Sequence, residues 1–106
     1  MKVIPADKIP ARRVEMEGAV GVFIRELVTE RDGAPHFAMR RFDLEPGGHT
    51  PMHDHPWEHE VYILAGEGEL RSPTGARPFR AGDAVYVPVG ETHQFVNSGA
   101  TALGFL

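Results

Sequence analysis

Residues 82–97 read Gly82-Asp83-Ala84-Val85-Tyr86-Val87-Pro88-Val89-Gly90-Glu91-Thr92-His93-Gln94-Phe95-Val96-Asn97. A Gly-Asp turn opens the segment and Pro88-Val89-Gly90 breaks it in the middle. The remaining runs, Ala84 to Val87 and Gln94 to Asn97, are rich in β-branched and aromatic residues and too short for helices. The segment therefore predicts two short strands around a turn, with His93 just beyond it. The same pattern continues outward. Breaks at Arg31-Asp32-Gly33-Ala34-Pro35, Glu45-Pro46-Gly47-Gly48, Ala65-Gly66-Glu67-Gly68, Pro73-Thr74-Gly75 and Ser98-Gly99 separate the runs Val20 to Thr29, Phe37 to Leu44, Glu60 to Leu64 and Thr101 to Leu106. Roughly eight to ten short strands are expected from such a pattern, and the fold class is all-β. Gly 12 and Pro 9 in 106 residues supply the turns and argue against a helical bundle.

Two of the runs, Gly21 to Val28 and Phe37 to Leu44, carry apolar groups on both faces. Both faces then need cover, one from the barrel interior and the other from a partner subunit, so a homodimer is expected. A chain of this length makes one domain, expected over residues 1–106. With no cysteine it has neither a disulfide nor a thiolate metal site. The formal charge of −4, with no run of Lys or Arg, excludes the basic footprint that nucleic acid requires. Met1 to Val14 alternates charged, proline and apolar residues and offers no signal-peptide core or membrane span. A cytoplasmic protein acting on a small molecule, with no membrane partner, is the expectation.

Histidine supplies what cysteine does not. Four of the six stand in two short segments, His53-Asp54-His55-Pro56-Trp57-Glu58-His59 and the turn before Gln94 that carries His93. In an extended chain alternate side chains share a face, so His53 and His55 project together and His59 keeps their parity if the Pro56-Trp57 turn preserves it. His93 would join them from a neighbouring strand. Neutral imidazoles converging on one point suit a divalent first-row metal, whereas several buried imidazoles without partners would be costly. His36, after Pro35, and His49, before Pro51, are read as structural or surface groups. Trp57, Met39, Phe95 and Ile63 are candidates both for pocket lining and for ordinary core. Arg40 or Arg41 would meet an anionic substrate only by pointing inward.

These segments resemble the cupins. Gly82, Pro88, Gly90, His93 and Asn97 match every position of that family's second motif, and Gly47, His53, His55 and Gly66 match its first, over about Gly47 to Asn97. The resemblance implies a single-domain jelly-roll barrel, a double-stranded β-helix, with motif 1 at about 47–66 and motif 2 at about 82–97. Where the first motif usually has a glutamate ligand, this chain offers both His59 and Glu60. The three-residue spacing from His55 and the strand parity select His59. The run then looks like a subgroup of one-domain cupins in which four histidines, here His53, His55, His59 and His93, hold manganese. Iron, nickel, copper or zinc would suit the same imidazoles.

Four imidazoles add no negative charge, so a bound divalent ion keeps its full Lewis acidity, and an octahedral ion would offer two further positions. No residue is marked by motif as a general acid or base. The expected function is a metal-dependent oxidoreductase of dioxygenase type on a small oxygenated organic molecule. A non-catalytic module holding a small ligand at its metal is the alternative. A metal-dependent isomerase is a third reading, which requires an inward carboxylate or tyrosine.

Overall fold

The computed structural model describes residues 1–106. It contains nine strands and two single-turn 3-10 helices, at Ala6–Lys8 and Glu30–Asp32. The strands are β1 (Arg12–Arg13), β2 (Val20–Val28), β3 (Met39–His49), β4 (His59–Ala65), β5 (Glu67–Ser72), β6 (Gly75–Arg80), β7 (Ala84–Val87), β8 (Gln94–Val96) and β9 (Leu103–Phe105). All named pairings are antiparallel, in the order β6-β5-β8-β3-β9-β4-β7, with β2 on β3 and β1 on β2. The expected all-β class and strand number are observed, and the sheet curls into a half-barrel. No helix is long and apolar enough to cross a membrane.

Strand β3 organises the sheet. One edge pairs with β2 along its length, and the other pairs with β9 through Phe42, Asp43 and Leu44, then with β8 at His49. Between those two pairings the buried Asn97 fills the gap. Its Nδ2 donates to the Leu44 and Thr101 carbonyls, each at 2.9 Å, and its Oδ1 accepts from the Gly99 N–H at 3.0 Å. A side-chain amide has two donors and an acceptor to offer, so it replaces backbone partners that β3 loses where it changes neighbour.

The core is Val22, Leu44, Ile63, Phe79, Val87, Phe95, Leu103 and Phe105. A line of aromatic rings runs through it: Phe42 to Phe105 at 5.4 Å, Phe105 to Phe95 at 4.9 Å and Phe95 to Phe79 at 6.0 Å between centroids. Only 16 of 106 residues are buried, so the interior is small. The two-faced apolar pattern of β2 is partly answered within the chain, where the Arg13 guanidinium lies 4.7 Å above the Phe23 ring.

Candidate metal centre

The histidines meet because of strand register. His53 and His93 are directly opposed in an antiparallel bridge, exchanging both backbone hydrogen bonds at 3.0 and 2.9 Å. Directly opposed residues send their side chains to the same face. The Gly90 N–H donates to the His55 carbonyl at 2.8 Å, which holds the next inward residue in line. His59 opens β4 opposite Val87, with Val61 and the fully buried Ile63 following on its face. Glu60, of the other parity, is exposed and directly opposite Tyr86 on the outer surface.

Ring nitrogens of His53, His55 and His93 all lie within 4.8 Å of one another. His59 falls outside that group, although its ring centroid is 4.9 Å from His55 and 5.6 Å from His93. His53 stands 4.2 Å from His55 and 5.4 Å from His93. His93 is buried, and its Nδ1 donates to the Glu91 carbonyl at 2.8 Å. A carbonyl only accepts, so the proton is on Nδ1 and the Nε2 lone pair is free for a metal. Sequence reading left this backbone partner unidentified.

Electrostatics favour neutral rings. Burial, reinforced by His55 and His93, lowers the His53 pKa from its ordinary value, with Asp54 opposing. Burial and then His93 lower that of His55, with a further push from Arg40. For His59, burial comes first, followed by His55, His93, Arg40 and His53, and the pKa falls to about 4. Three imidazole nitrogens within 4.8 Å, a fixed tautomer at His93 and no thiolate form a donor set that fits a borderline divalent first-row ion.

Around the rings, Trp57 stacks on His55 at 4.7 Å and 6°, and Phe95 meets His93 edge-on at 5.9 Å. Phe95 and Ile63 belong to the core, whereas Met39 and Trp57 are largely exposed. His36 is exposed. The His49 Nδ1 lies 3.3 Å from Gln94 Nε2, which donates to the Thr50 carbonyl at 2.9 Å. Arg41 pairs with Asp43 at 3.2 Å, and Arg25 pairs with the same carboxylate at 3.0 Å. Arg40 makes neither an ion pair nor a side-chain hydrogen bond; its Cζ lies 5.8 Å from the Phe42 ring centroid. The sequence singled out both arginines without choosing between them.

Comparison with known proteins agrees with the fold. The chain is 35% identical over 111 residues to the oxalate-binding protein of Thermotoga maritima, covering 100% of this chain and 90% of that protein. The structure of the polyketide cyclase RemF from Streptomyces resistomycificus superposes with a TM-score of 0.93 at 34% identity, covering 99% of this chain and 75% of that one. A predicted oxalate decarboxylase from Thermotoga maritima superposes with a TM-score of 0.85 at 32% identity, covering 98% and 94%. Residues 40–106, from β3 through His53, His55, His59 and His93 to the C-terminal strand, match the model of the cupin domain, and the chain belongs to the cupin family.

Proposed function

We propose that this cupin holds a divalent metal ion through His53, His55, His59 and His93 and uses it to bind and polarise a small organic molecule rich in carbonyl or carboxylate oxygens. The observation that carries the reading is the cluster of His53, His55 and His93 nitrogens within 4.8 Å, with the neutral His59 ring beside it. Manganese follows from resemblance to four-histidine cupins, and iron, nickel, copper or zinc would be served by the same donors. When bound, such an ion supplies Lewis acidity toward substrate oxygens. The chain's own residues set the rest: Glu91 fixes the His93 tautomer, Trp57 stacks against His55, and Phe95 closes the floor against the core. Relatives named for oxalate binding, oxalate decarboxylation and polyketide cyclisation share a ligand class of oxygen-rich carbonyl compounds, which supports the same choice here.

A dioxygenase-type oxidoreductase is the second reading, favoured by a donor set that adds no charge and leaves further positions open. The isomerase reading loses support, because Glu60 and Tyr86 oppose each other on the outer surface rather than facing the imidazoles. A homodimer belongs to the proposal, supported by exposed Val3, Val20 and Phe37. Titrating metal-loaded protein with diketones, hydroxy acids and diols under an oxygen electrode separates the readings. Binding or turnover without oxygen uptake supports the Lewis-acid reading, uptake supports the oxidoreductase, and binding of none contradicts both.

A further inference from the structure

A metal ion meets an imidazole nitrogen along its lone pair, in the plane of the ring, so a ligating histidine needs its ring plane fixed as well as its backbone. A hydrogen bond from the other ring nitrogen usually does this. His93 has such a bond, to the Glu91 carbonyl, and His49 is the only other histidine whose ring is hydrogen-bonded to a protein group. The His55 backbone is well held: its carbonyl accepts from the Gly90 N–H at 2.8 Å, and the following Pro56 biases it toward extended conformations. Its ring has one flat neighbour. His53, His59 and His93 meet it at 66°, 75° and 66°, whereas the Trp57 indole lies parallel to it at 6°, with centroids 4.7 Å apart. The indole is 53% exposed, and this stack is its one aromatic contact.

We infer that Trp57 is the positioning residue of His55, holding the imidazole plane by stacking so that its nitrogen stays aimed at those of His53 and His93. The inference rests on the metal-holding role proposed for the cluster and adds the residue that preorganises it. Stacking constrains the plane of a ring without accepting its proton, so Trp57 fixes the orientation of His55 and leaves its tautomer free, whereas the Glu91 carbonyl fixes both for His93. The test is calorimetric titration of metal-stripped protein with Mn²⁺ and with Zn²⁺, on wild type, Trp57→Phe, Trp57→Leu and Trp57→Ala, with proton NMR of the His55 ring in the metal-free samples. In wild type the indole ring current should shift the His55 ring protons upfield, and the shift should weaken in Trp57→Phe and vanish in Trp57→Leu and Trp57→Ala. Trp57→Leu and Trp57→Ala should bind the ions about 10-fold more weakly, the lower end of what outer partners of ligating imidazoles contribute. Trp57→Phe, which can still stack, should remain within about 3-fold of wild type. The urea midpoint of the metal-free protein should be the same in all four, because the indole lies outside the core. With metal bound by wild type, Trp57→Ala or Trp57→Leu within about 2-fold of it, Trp57→Phe as weak as Trp57→Ala, or a urea midpoint that falls along with the affinity would overturn this inference alone. An unshifted His55 ring in wild type would do the same. A wild type that takes up neither ion would overturn the metal reading and this inference with it.

Discussion

Asn97 is the residue on which the path of β3 depends, and its replacement has a calculable effect. Asn97→Ala removes two donated hydrogen bonds at 2.9 Å and one accepted at 3.0 Å from a side chain that is 1% exposed. Each such bond contributes about 1 kcal/mol net, and a buried group left without its partner costs about 1–3 kcal/mol. The Leu44 carbonyl lies inside the strand switch, so it has little access to water. Allowing for partial relaxation, a loss of about 3–4 kcal/mol is expected, and with about 4–8 °C per kcal/mol for a domain near this size, Tm should fall by about 15–25 °C. Asn97→Asp is the discriminating partner: it keeps the volume and the acceptor for Gly99 but cannot donate, so it should be at least as destabilising as alanine. The assay is urea unfolding followed by circular dichroism on metal-stripped protein, because bound metal would add stability by mass action. A loss below about 1 kcal/mol in Asn97→Ala, or a benign Asn97→Asp, would refute the argument.

Further outcomes follow from the same coordinates. In metal-free protein the folded-state pKa values of His53, His55 and His59 lie below the unfolded value near 6.5, that of His59 at about 4. The unfolded chain therefore binds more protons in this window, and stability should be full above pH 6.5 and decline as pH falls toward 4. The drop in urea midpoint between pH 7 and pH 5 should be smaller in His59→Gln than in wild type, and an equal drop would count against the assignment. Gly68→Ala would press a methyl group against the Val96 carbonyl oxygen and the Phe79 ring in the middle of the sheet, so a loss of about 2–3 kcal/mol in denaturant titration is expected. Gly47→Ala, with φ of 79° but nothing within 4 Å, should cost about 1 kcal/mol.

Much of this architecture was readable from residue pattern. Ala84–Val87 is a strand with the expected bounds, Val20–Val28 differs from expectation by one residue at its C-terminal end and His59–Ala65 by one at each end, because β-branched runs between Gly and Pro breaks favour extended chain. The β5–β6 hairpin was not legible. Its residues include Glu67, Glu69, Arg71, Arg77, Pro78 and Arg80, and it is held by a six-residue cross-strand register around a two-residue turn rather than by apolar content. Pro78 is tolerated there because β6 lies at the edge of the sheet. Strand β3 runs on through Pro46-Gly47-Gly48 to His49, where the sequence suggested a break, since pairing with Val20 and Val96 holds that end.

At the site, His-x-His spacing and parity indicated which face His53, His55 and His59 occupy, and why Glu60 turns outward. The direct opposition of His53 and His93 depends on long-range register, which no local pattern encodes. The Glu91 carbonyl that sets the His93 tautomer is a backbone group and leaves no side-chain signal. The Arg41–Asp43 pair follows from shared parity two residues apart on β3, whereas the Arg25 contact to the same carboxylate arises only once β2 and β3 are paired.

The central claim is that these imidazoles hold a metal ion, and the most direct measurement is elemental analysis of the purified protein together with His93→Ala, His59→Ala and Glu60→Gln. The account predicts close to one divalent first-row ion per chain in wild type and in Glu60→Gln, and a sharp loss in both histidine variants while they remain folded by circular dichroism. A wild type without bound metal after supplementation, or loss of metal in Glu60→Gln with retention in His59→Ala, would contradict it.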